Sequence, residues 1–243
     1  MSEIPDQLRP NPRQKPPVRA GLETGAPGPT QVNLGCGSVT PAGWINVDYA
    51  LGARLARLPV VGSAAHRLGL FRLRWDRRIL IHNLARPLPW PDQSVDVVYC
   101  SHTLEHFDRS GGEALLRESF RVLRVGGIIR IVVPDLAAHV RRYLAGTVPA
   151  EYFLEDLDVL YGAAKSGLKR ALAPLIEYPH RCMYDEEALV RAMRFSGFEC
   201  RSRAGLDSAI DGIEAVELLE RTVDAVIVEG RRPSVWASTA SQA

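Results

Sequence analysis

Strand-like and helix-like segments alternate along residues 30–230 of this chain, and this alternation restricts its fold more than any other feature. Apolar residues recur at helical spacing in several segments that separate the strand-like runs. Such an alternation predicts right-handed crossovers, and therefore an α/β fold with a seven-stranded, mostly parallel sheet and helices on both faces. The runs that predict strands are 30–34, 44–49, 78–84, 95–101, 128–135, 198–204 and 224–230.

The two ends of the chain differ from this central region. Residues 1–29 are rich in proline and lack a regular spacing of apolar residues, which predicts a disordered tail. Residues 231–243 predict a second disordered tail, which leaves one folded domain over 30–230. Within that domain the segments 50–78 and 136–184 look like insertions, and we expect them to cover the substrate side of a ligand crevice.

The segment 50–78 holds a cluster of arginines. Such a cluster would favour an acidic or phosphorylated substrate, although a solvated helix face would have the same composition. The cluster consists of Arg54, Arg57, Arg67, Arg72, Arg74, Arg77 and Arg78.

The overall composition excludes several classes of protein. The net charge is only +2, so we expect no nucleic-acid partner. The four cysteines show no C-x-x-C spacing, and their scatter is typical of reduced residues in a cytoplasmic protein. Neither a signal peptide nor an apolar run long enough to span a membrane is evident, so we expect no membrane association.

Two helices have boundaries that the sequence marks. Ser110 and Glu113 have the spacing of a capping box, and the pair Gly126–Gly127 predicts where that helix stops. Asp185 is predicted to cap another helix over 186–196.

Chemically distinctive residues follow several of the strand-like runs, at the edge where parallel sheets bind their ligands. The sequence Gly-Cys-Gly at 35–37 allows positive φ angles and a close approach of a ligand to the main chain. Asp48 could accept hydrogen bonds from both hydroxyls of a ribose. Asn83 could contact an adenine edge, and Ser-His at 101–102 would face the same crevice.

These residues lie in segments that resemble class I S-adenosylmethionine-dependent methyltransferases of the methyltransferase type 11-like group. The segments are "VNLGCG", "GWINVDY", "HNLARPLPWPDQSVDVVYCSHTLEH", "LLRESFRVLRVGGIIRIVVPDL" and "HRCMYDEEALVRAMRFSGF", and "VDAVIVEGRRP" matches the closing strand. The resemblance implies a Rossmann-like methyltransferase fold, S-adenosyl-L-methionine as cofactor, and transfer of a methyl group to a small-molecule or glycan acceptor. The cofactor-binding residues that it implies are Asn33, Gly35, Cys36, Gly37, Asp48, Asn83, Leu84, Ser101 and His102.

Three departures from the family pattern keep a second function open. Asn33 and Asn83 stand where the group usually has acidic residues, and only a short connection separates Gly37 from Trp44. A non-catalytic module that binds S-adenosylmethionine or S-adenosylhomocysteine is therefore the alternative. A nicotinamide oxidoreductase is disfavoured, because Thr40 replaces the third glycine of the dinucleotide fingerprint.

The segment from His102 to His106 has the spelling H-x-x-E-H, which is also a zinc peptidase pattern. A zinc hydrolase that uses His102, Glu105 and His106 is a less favoured alternative, because this motif directly follows a strand; we expect no bound metal. His102, His106 and His180 are candidates for a catalytic base, with none assigned. His180, Arg181 and Tyr184 are the polar residues that we expect on the substrate side.

Overall fold

The computed structural model describes residues 28–57, 75–160 and 178–234, and seven strands within these ranges form a single sheet. The strands are β1 (Gln31–Leu34), β2 (Trp44–Asp48), β3 (Leu80–Ile81), β4 (Val95–Ser101), β5 (Leu123–Pro134), β6 (Glu199–Ser202) and β7 (Ala225–Arg231). Their order in the sheet is β3-β2-β1-β4-β5-β7-β6. The first five strands are parallel to their neighbours, and β7 is antiparallel to both β5 and β6. The predicted seven-stranded, mostly parallel α/β fold is confirmed.

Five α-helices are found in the described ranges: α1 (Leu51–Ala56), α2 (Arg109–Val122), α3 (Leu136–Leu144), α4 (Phe153–Asp156) and α5 (Glu186–Phe195). None of them is both long and apolar enough to cross a membrane. The Asp185 cap is as predicted, since its carboxylate accepts a hydrogen bond from the amide of Ala188.

The start and the end of α2 differ from the sequence prediction. Asp108, rather than Ser110, is the N-cap residue, and its carboxylate accepts hydrogen bonds from the amide of Gly111 and the hydroxyl of Ser110. The helix ends at Val122, before the two glycines, because β5 already begins at Leu123. The pairing of β5 with β4 shifts register between Val95 and Val97, which accommodates the extra residues of β5.

The two faces of the sheet are covered by different kinds of structure. One face packs against α2 and α5 through buried apolar side chains such as Leu116, Phe120 and Met193. Over β4, β5 and β7 the other face packs against Ile210, Ile213 and Val216, which lie in or beside a short 3-10 turn. Burial of both faces explains why β4 and β5 have nearly continuous apolar sequences.

A buried ion network attaches this second covering segment to the sheet. The guanidinium of Arg130 on β5 donates hydrogen bonds to Glu217 at 2.7 Å and to Glu229 at 3.0 Å, and all three side chains are almost fully buried. Arg130 also donates to the carbonyl oxygens of Ala204 and Asp207. Burial is the largest single influence and lowers the pKa of Arg130, but the hydrogen bonds and charges of Glu217 and Glu229 together outweigh it and raise that pKa.

No helix connects β1 to β2, although parallel neighbours normally need a longer crossover. Residues 35–43 form turns instead, and the amide of Asn33 donates hydrogen bonds to the Val39 carbonyl and to the side chain of Asn46. Asn33 therefore stabilises the short connection from inside the fold.

Candidate functional site

Two glycines at the end of β1 have the same backbone conformation but different surroundings. Gly35 has φ +68° and Gly37 has φ +56°, a region that favours glycine. A Cβ atom on Gly35 would lie 2.0 Å from the hydroxyl of Thr103, whereas one on Gly37 would meet nothing within 4 Å. Gly35 is thus required by close packing of the protein on itself, and Gly37 is the position that leaves main chain open to a ligand.

Asp48 holds the glycine-containing loop against the end of β2. One carboxylate oxygen accepts a hydrogen bond from the amide of Gly37 at 2.9 Å, and the other accepts one from the amide of Ala50 at 2.7 Å. Asp48 is 9% exposed and is the last residue of β2. Each carboxylate oxygen can accept a further hydrogen bond, so the group keeps capacity for a ligand hydroxyl.

Asn33 and Cys36 lie inside the fold beneath this loop. Asn33 is 3% exposed and Cys36 is 2% exposed, and the Asn33 amide is engaged by Val39 and Asn46. Burial, with a smaller contribution from the charge of Asp48, raises the pKa of the Cys36 thiol to about 12. Cys36 is therefore a packed thiol with no nucleophilic character at neutral pH.

Asn83 and Leu84 follow β3 in a turn. The side-chain oxygen of Asn83 accepts a hydrogen bond from the amide of Ala85 at 3.0 Å, which fixes the orientation of its amide group. Leu84 is almost buried and belongs to the main apolar core. The pairing of β2 with β3 places this turn beside Asp48, whose carbonyl oxygen accepts a hydrogen bond from the amide of His82.

The end of β4 contributes Ser101 and His102. The hydroxyl of Ser101 is buried and makes no well-formed hydrogen bond to the described residues. His102 has φ +48°, and its Nε2 lies 2.8 Å from the carbonyl oxygen of Arg221, so this nitrogen carries the proton. Burial lowers the pKa of His102. Its ring is thereby directed toward the turn at 219–221.

The H-x-x-E-H arrangement of a zinc peptidase does not form. Only Leu104–His106 is helical, as a single 3-10 turn, and His102 precedes it with a left-handed backbone conformation. The two histidines of the motif therefore do not share one face of an α-helix, as that chemistry requires.

Glu105 is the most unusual polar residue in this region. Its side chain is fully buried at the end of β4, and neither carboxylate oxygen makes a well-formed hydrogen bond to the described residues. Burial raises the pKa of Glu105 to about 8, although the nearby amides of Glu105 and Thr103 act in the opposite direction. The His102 ring lies 3.6 Å away and the His180 ring lies 3.9 Å away.

The segment 178–184 passes beside this group. Rings of His106 and His180 have centroids 5.3 Å apart, and Tyr178 lies 6.4 Å from His106. Burial raises the pKa of the Tyr178 hydroxyl, and its hydrogen bond with the main chain of Leu51 acts against that effect, so Tyr178 reaches toward the start of α1. This segment therefore extends from the end of β4 to the start of α1.

The other two residues predicted on the substrate side have different environments. Arg181 is exposed and lies 3.8 Å from Asp108. Tyr184 is a buried core residue whose hydroxyl packs against Gly112, so the expectation of a substrate-facing tyrosine at this position is wrong.

Large parts of both predicted insertions, and most of both predicted tails, lie outside the described residues. Arg67, Arg72 and Arg74 are among them. In the described part of the cluster, Arg54 stacks on the ring of Tyr49 and Arg78 forms an exposed ion pair with Asp76.

The glycine-containing loop, Asp48 and the end of β4 lie in a region that matches a known family. Residues 32–131 match the family model described as a methyltransferase domain. This match supports the predicted class I S-adenosylmethionine-dependent methyltransferase domain over these residues. A search of curated proteins gave no significant match. The cofactor of this methyltransferase is S-adenosylmethionine, as the sequence predicted.

Solved structures with a similar course of the chain include other methyltransferases. A SAM-dependent methyltransferase from Methanosarcina mazei has 18% identity and a TM-score of 0.47, over 84% of this chain and 92% of its own. The YcgJ protein of Bacillus subtilis has 14% identity and a TM-score of 0.45, over 85% and 92%. Geranyl diphosphate methyltransferase in complex with SAM has 17% identity and a TM-score of 0.42, over 84% and 78%. The assignment of this methyltransferase rests on the family match and not on these structures.

The residues present are compatible with the cofactor. Gly37 leaves main chain open, Asp48 retains unused acceptor capacity, and the hydroxyl of Ser101 is a buried polar group without a well-formed hydrogen bond. The sequence could not reveal that Thr103 fills the space at Gly35, because that contact joins residues 68 positions apart.

Proposed function

We propose that the crevice at the carboxyl ends of β1, β2 and β4 holds S-adenosylmethionine and that the enzyme methylates a small-molecule or glycan acceptor. The observation that supports this site most directly is the bond from the Gly37 amide to Asp48, since it joins the open main chain to the one carboxylate at the end of β2. In this proposal Asp48 accepts hydrogen bonds from the ribose hydroxyls, and the open side of Gly37 lies beneath the methionine part.

The remaining residues of the predicted set have supporting roles in this proposal. Asn83 and Leu84 lie at the adenine, the hydroxyl of Ser101 faces the cofactor or the acceptor, and His102 contributes its main chain at the end of β4, because its ring binds the carbonyl of Arg221. Asn33 and Cys36 shape the loop from below, which is how their burial and the Asn33 hydrogen bonds would serve cofactor binding.

The chemistry requires mainly orientation from the protein. The bound cofactor supplies a methyl group that is already activated as part of a sulfonium. The chain must place the acceptor atom in line with the bond that breaks and keep water out. The buried end of β4 and the segment 178–184 provide a partly enclosed wall for this purpose, with His180 only 12% exposed.

The side chains around the crevice suit a hydroxylated acceptor of modest size. Tyr49 and Tyr178 expose their rings close to the end of β2, and Arg54 lies over the ring of Tyr49. Tyrosine combines an apolar ring with a polar tip, and it therefore contacts molecules that present both hydroxyls and carbon surfaces. These features support a small molecule or a glycan.

Replacement of Asp48 by asparagine tests the cofactor site. We expect the affinity for S-adenosylhomocysteine to fall by about 10- to 100-fold, because hydrogen bonds to a charged group contribute about 1.5–3 kcal/mol. Isothermal titration calorimetry on the folded variant measures this change. Asp96→Asn is the matched control, since Asp96 lies at the opposite end of β4, where it accepts a hydrogen bond from Thr30.

Unchanged affinity in Asp48→Asn, with Asp96→Asn equally unaffected, would remove Asp48 from the site. Methyl transfer to a panel of hydroxylated small molecules and oligosaccharides tests the second half of the proposal. Binding of S-adenosylhomocysteine without transfer to any acceptor in the panel would favour the non-catalytic module.

A further inference from the structure

Three side chains beside the end of β4 bring metal-ligating atoms together. Glu105, His106 and His180 each offer one such atom, and these atoms all lie within 4.8 Å of one another. We propose that they bind a divalent first-row transition cation of the zinc type. This site differs from the sequence expectation of no metal, and it is independent of which acceptor the methyltransferase uses.

The polar groups of this cluster lack partners that a cation would supply. Both carboxylate oxygens of Glu105 and Nδ1 of His106 are buried and make no well-formed hydrogen bond to the described residues. A buried polar group without a partner costs roughly 1–3 kcal/mol, and an ionised one costs more. One cation placed between the carboxylate and the two imidazoles would give a partner to one ligand atom of each residue.

His180 is oriented as a metal ligand would be. Its Nδ1 lies 2.8 Å from the carbonyl oxygen of Leu157, so Nδ1 carries the proton and Nε2 keeps its lone pair. That Nε2 lies 3.9 Å from the nearer carboxylate oxygen of Glu105. Metal-ligating histidines characteristically donate the other ring N–H to a carbonyl or a carboxylate.

Main-chain hydrogen bonds fix the two halves of the cluster relative to each other. The carbonyl oxygen of Glu105 accepts hydrogen bonds from the amides of Arg181 at 2.7 Å and Cys182 at 3.1 Å. The amide of His180 donates to the carbonyl of Asp158 at 2.9 Å. The ligand residues are thus held by the fold itself, which reduces the entropy lost when a cation binds.

The type of ligand decides the class of cation. Two imidazoles and one carboxylate favour zinc and its neighbours in the first transition row, whereas calcium and magnesium prefer sites made of oxygen alone. Three protein ligands leave a fourth position for water or a substrate atom when the geometry is tetrahedral. The cluster borders the crevice through His180, so a bound cation would lie on the side where the acceptor is expected.

His102 is not a member of this set, although the sequence motif includes it. Its Nε2 faces the carbonyl of Arg221, and its Nδ1 approaches Glu105 without joining the group of mutually close ligand atoms. The proposed site therefore replaces one ligand of the motif with His180, which lies 75 residues after Glu105 in the chain.

The test uses the full chain without a histidine tag, purified in chelator and then dialysed. Titration with Zn²⁺ alone is expected to show one ion per chain, and Co²⁺ is expected to give the visible absorption of a low-coordinate site. At an excess of about 100 times the dissociation constant, Zn²⁺ should raise the melting temperature by about 5–10 °C. Metal content, calorimetry and thermal melting measure these results.

Glu105→Gln and His180→Gln should each weaken Zn²⁺ binding by at least about 10-fold. His139→Gln is the control, since His139 is a nearly buried histidine that binds Asp156 at 2.6 Å outside the cluster. His102→Gln should also retain the affinity of the unmodified chain. Circular dichroism establishes that each variant is folded. If Glu105→Gln proves unstable, His180→Gln alone tests the site, because it changes only a side chain in a loop.

Two results would overturn the proposal. One is a folded chain that takes up no Zn²⁺ or Co²⁺ after removal of the chelator. The other is binding that survives both Glu105→Gln and His180→Gln, or that depends equally on His139, because the ion would then be held elsewhere.

Discussion

Replacement of Gly35 by alanine is expected to lower the free energy of unfolding by about 2–5 kcal/mol. The new Cβ would lie 2.0 Å from the hydroxyl oxygen of Thr103 and 2.6 Å from its methyl carbon. Thr103 is 8% exposed and has little room to move. Overpacking costs about 1–3 kcal/mol, and the left-handed conformation of a non-glycine residue adds about 1–2 kcal/mol. Denaturant unfolding of the two proteins measures the difference.

Gly37→Ala is the matched control for this prediction. Its φ of +56° imposes a similar backbone cost, but its Cβ would meet nothing within 4 Å. We expect a loss of only about 1–2 kcal/mol in stability, together with weaker binding of S-adenosylhomocysteine. Combining Gly35→Ala with Thr103→Ala should recover part of the stability. Equal destabilisation by the two alanine substitutions would contradict the packing argument at Gly35.

The parallel strands were predictable because strands that are buried on both faces have nearly continuous apolar sequences. The apolar run of β4 is covered on both faces, and the prediction of 95–101 agrees with Val95–Ser101. The short β3 is different: the prediction of 78–84 compares with only Leu80–Ile81, because it pairs with just two residues of β2. Hydropathy indicates which residues are buried, but the length of an edge strand depends on its neighbour.

Errors at the boundaries of α2 have a local cause. Ser110 and Glu113 have the spacing of a capping box, but Asp108 is a better acceptor for the first free amides, and it lies at the end of the preceding turn. The two glycines at 126–127 suggest a helix stop, yet the chain is already extended from Leu123 because it pairs with Val95. Tertiary pairing thus overrides a local stop signal.

The sequence predicted the candidate cofactor site more completely than the cluster of Glu105, His106 and His180. The residues at the ends of β1, β2 and β4 follow strands that the α/β pattern predicts to be mostly parallel, so their position at one edge of the sheet could be expected. His180 reaches Glu105 through a loop whose course no periodicity describes. The H-x-x-E-H motif contains Glu105 and His106 of the proposed cation site, but its other histidine is His102, whereas the proposed third ligand is His180.

The ion network on the second face gives the largest effect that we expect from one side chain. Arg130→Met is expected to lower the free energy of unfolding by about 3–5 kcal/mol, because it leaves Glu217 buried without a cation and leaves Glu229 with Arg203 alone. Arg130 is also the donor to two carbonyls of the segment 204–207. Loss of these bonds should loosen the segment that covers β4, β5 and β7. Denaturant unfolding measures the stability, and hydrogen exchange at residues 204–217 measures the loosening.

Arg124→Met on the same strand is the control that separates burial from charge. Arg124 pairs with Asp96 at 2.6 Å, but half of its side chain is exposed, so its removal should cost no more than about 1 kcal/mol. Adding Glu217→Gln to Arg130→Met should restore part of the lost stability, since the uncompensated charge of Glu217 is then absent. Comparable losses from Arg124→Met and Arg130→Met would show that the network contributes as an ordinary surface pair does. Such a result would mean that the apolar contacts of Ile210, Ile213 and Val216 hold the segment 204–217 against the sheet.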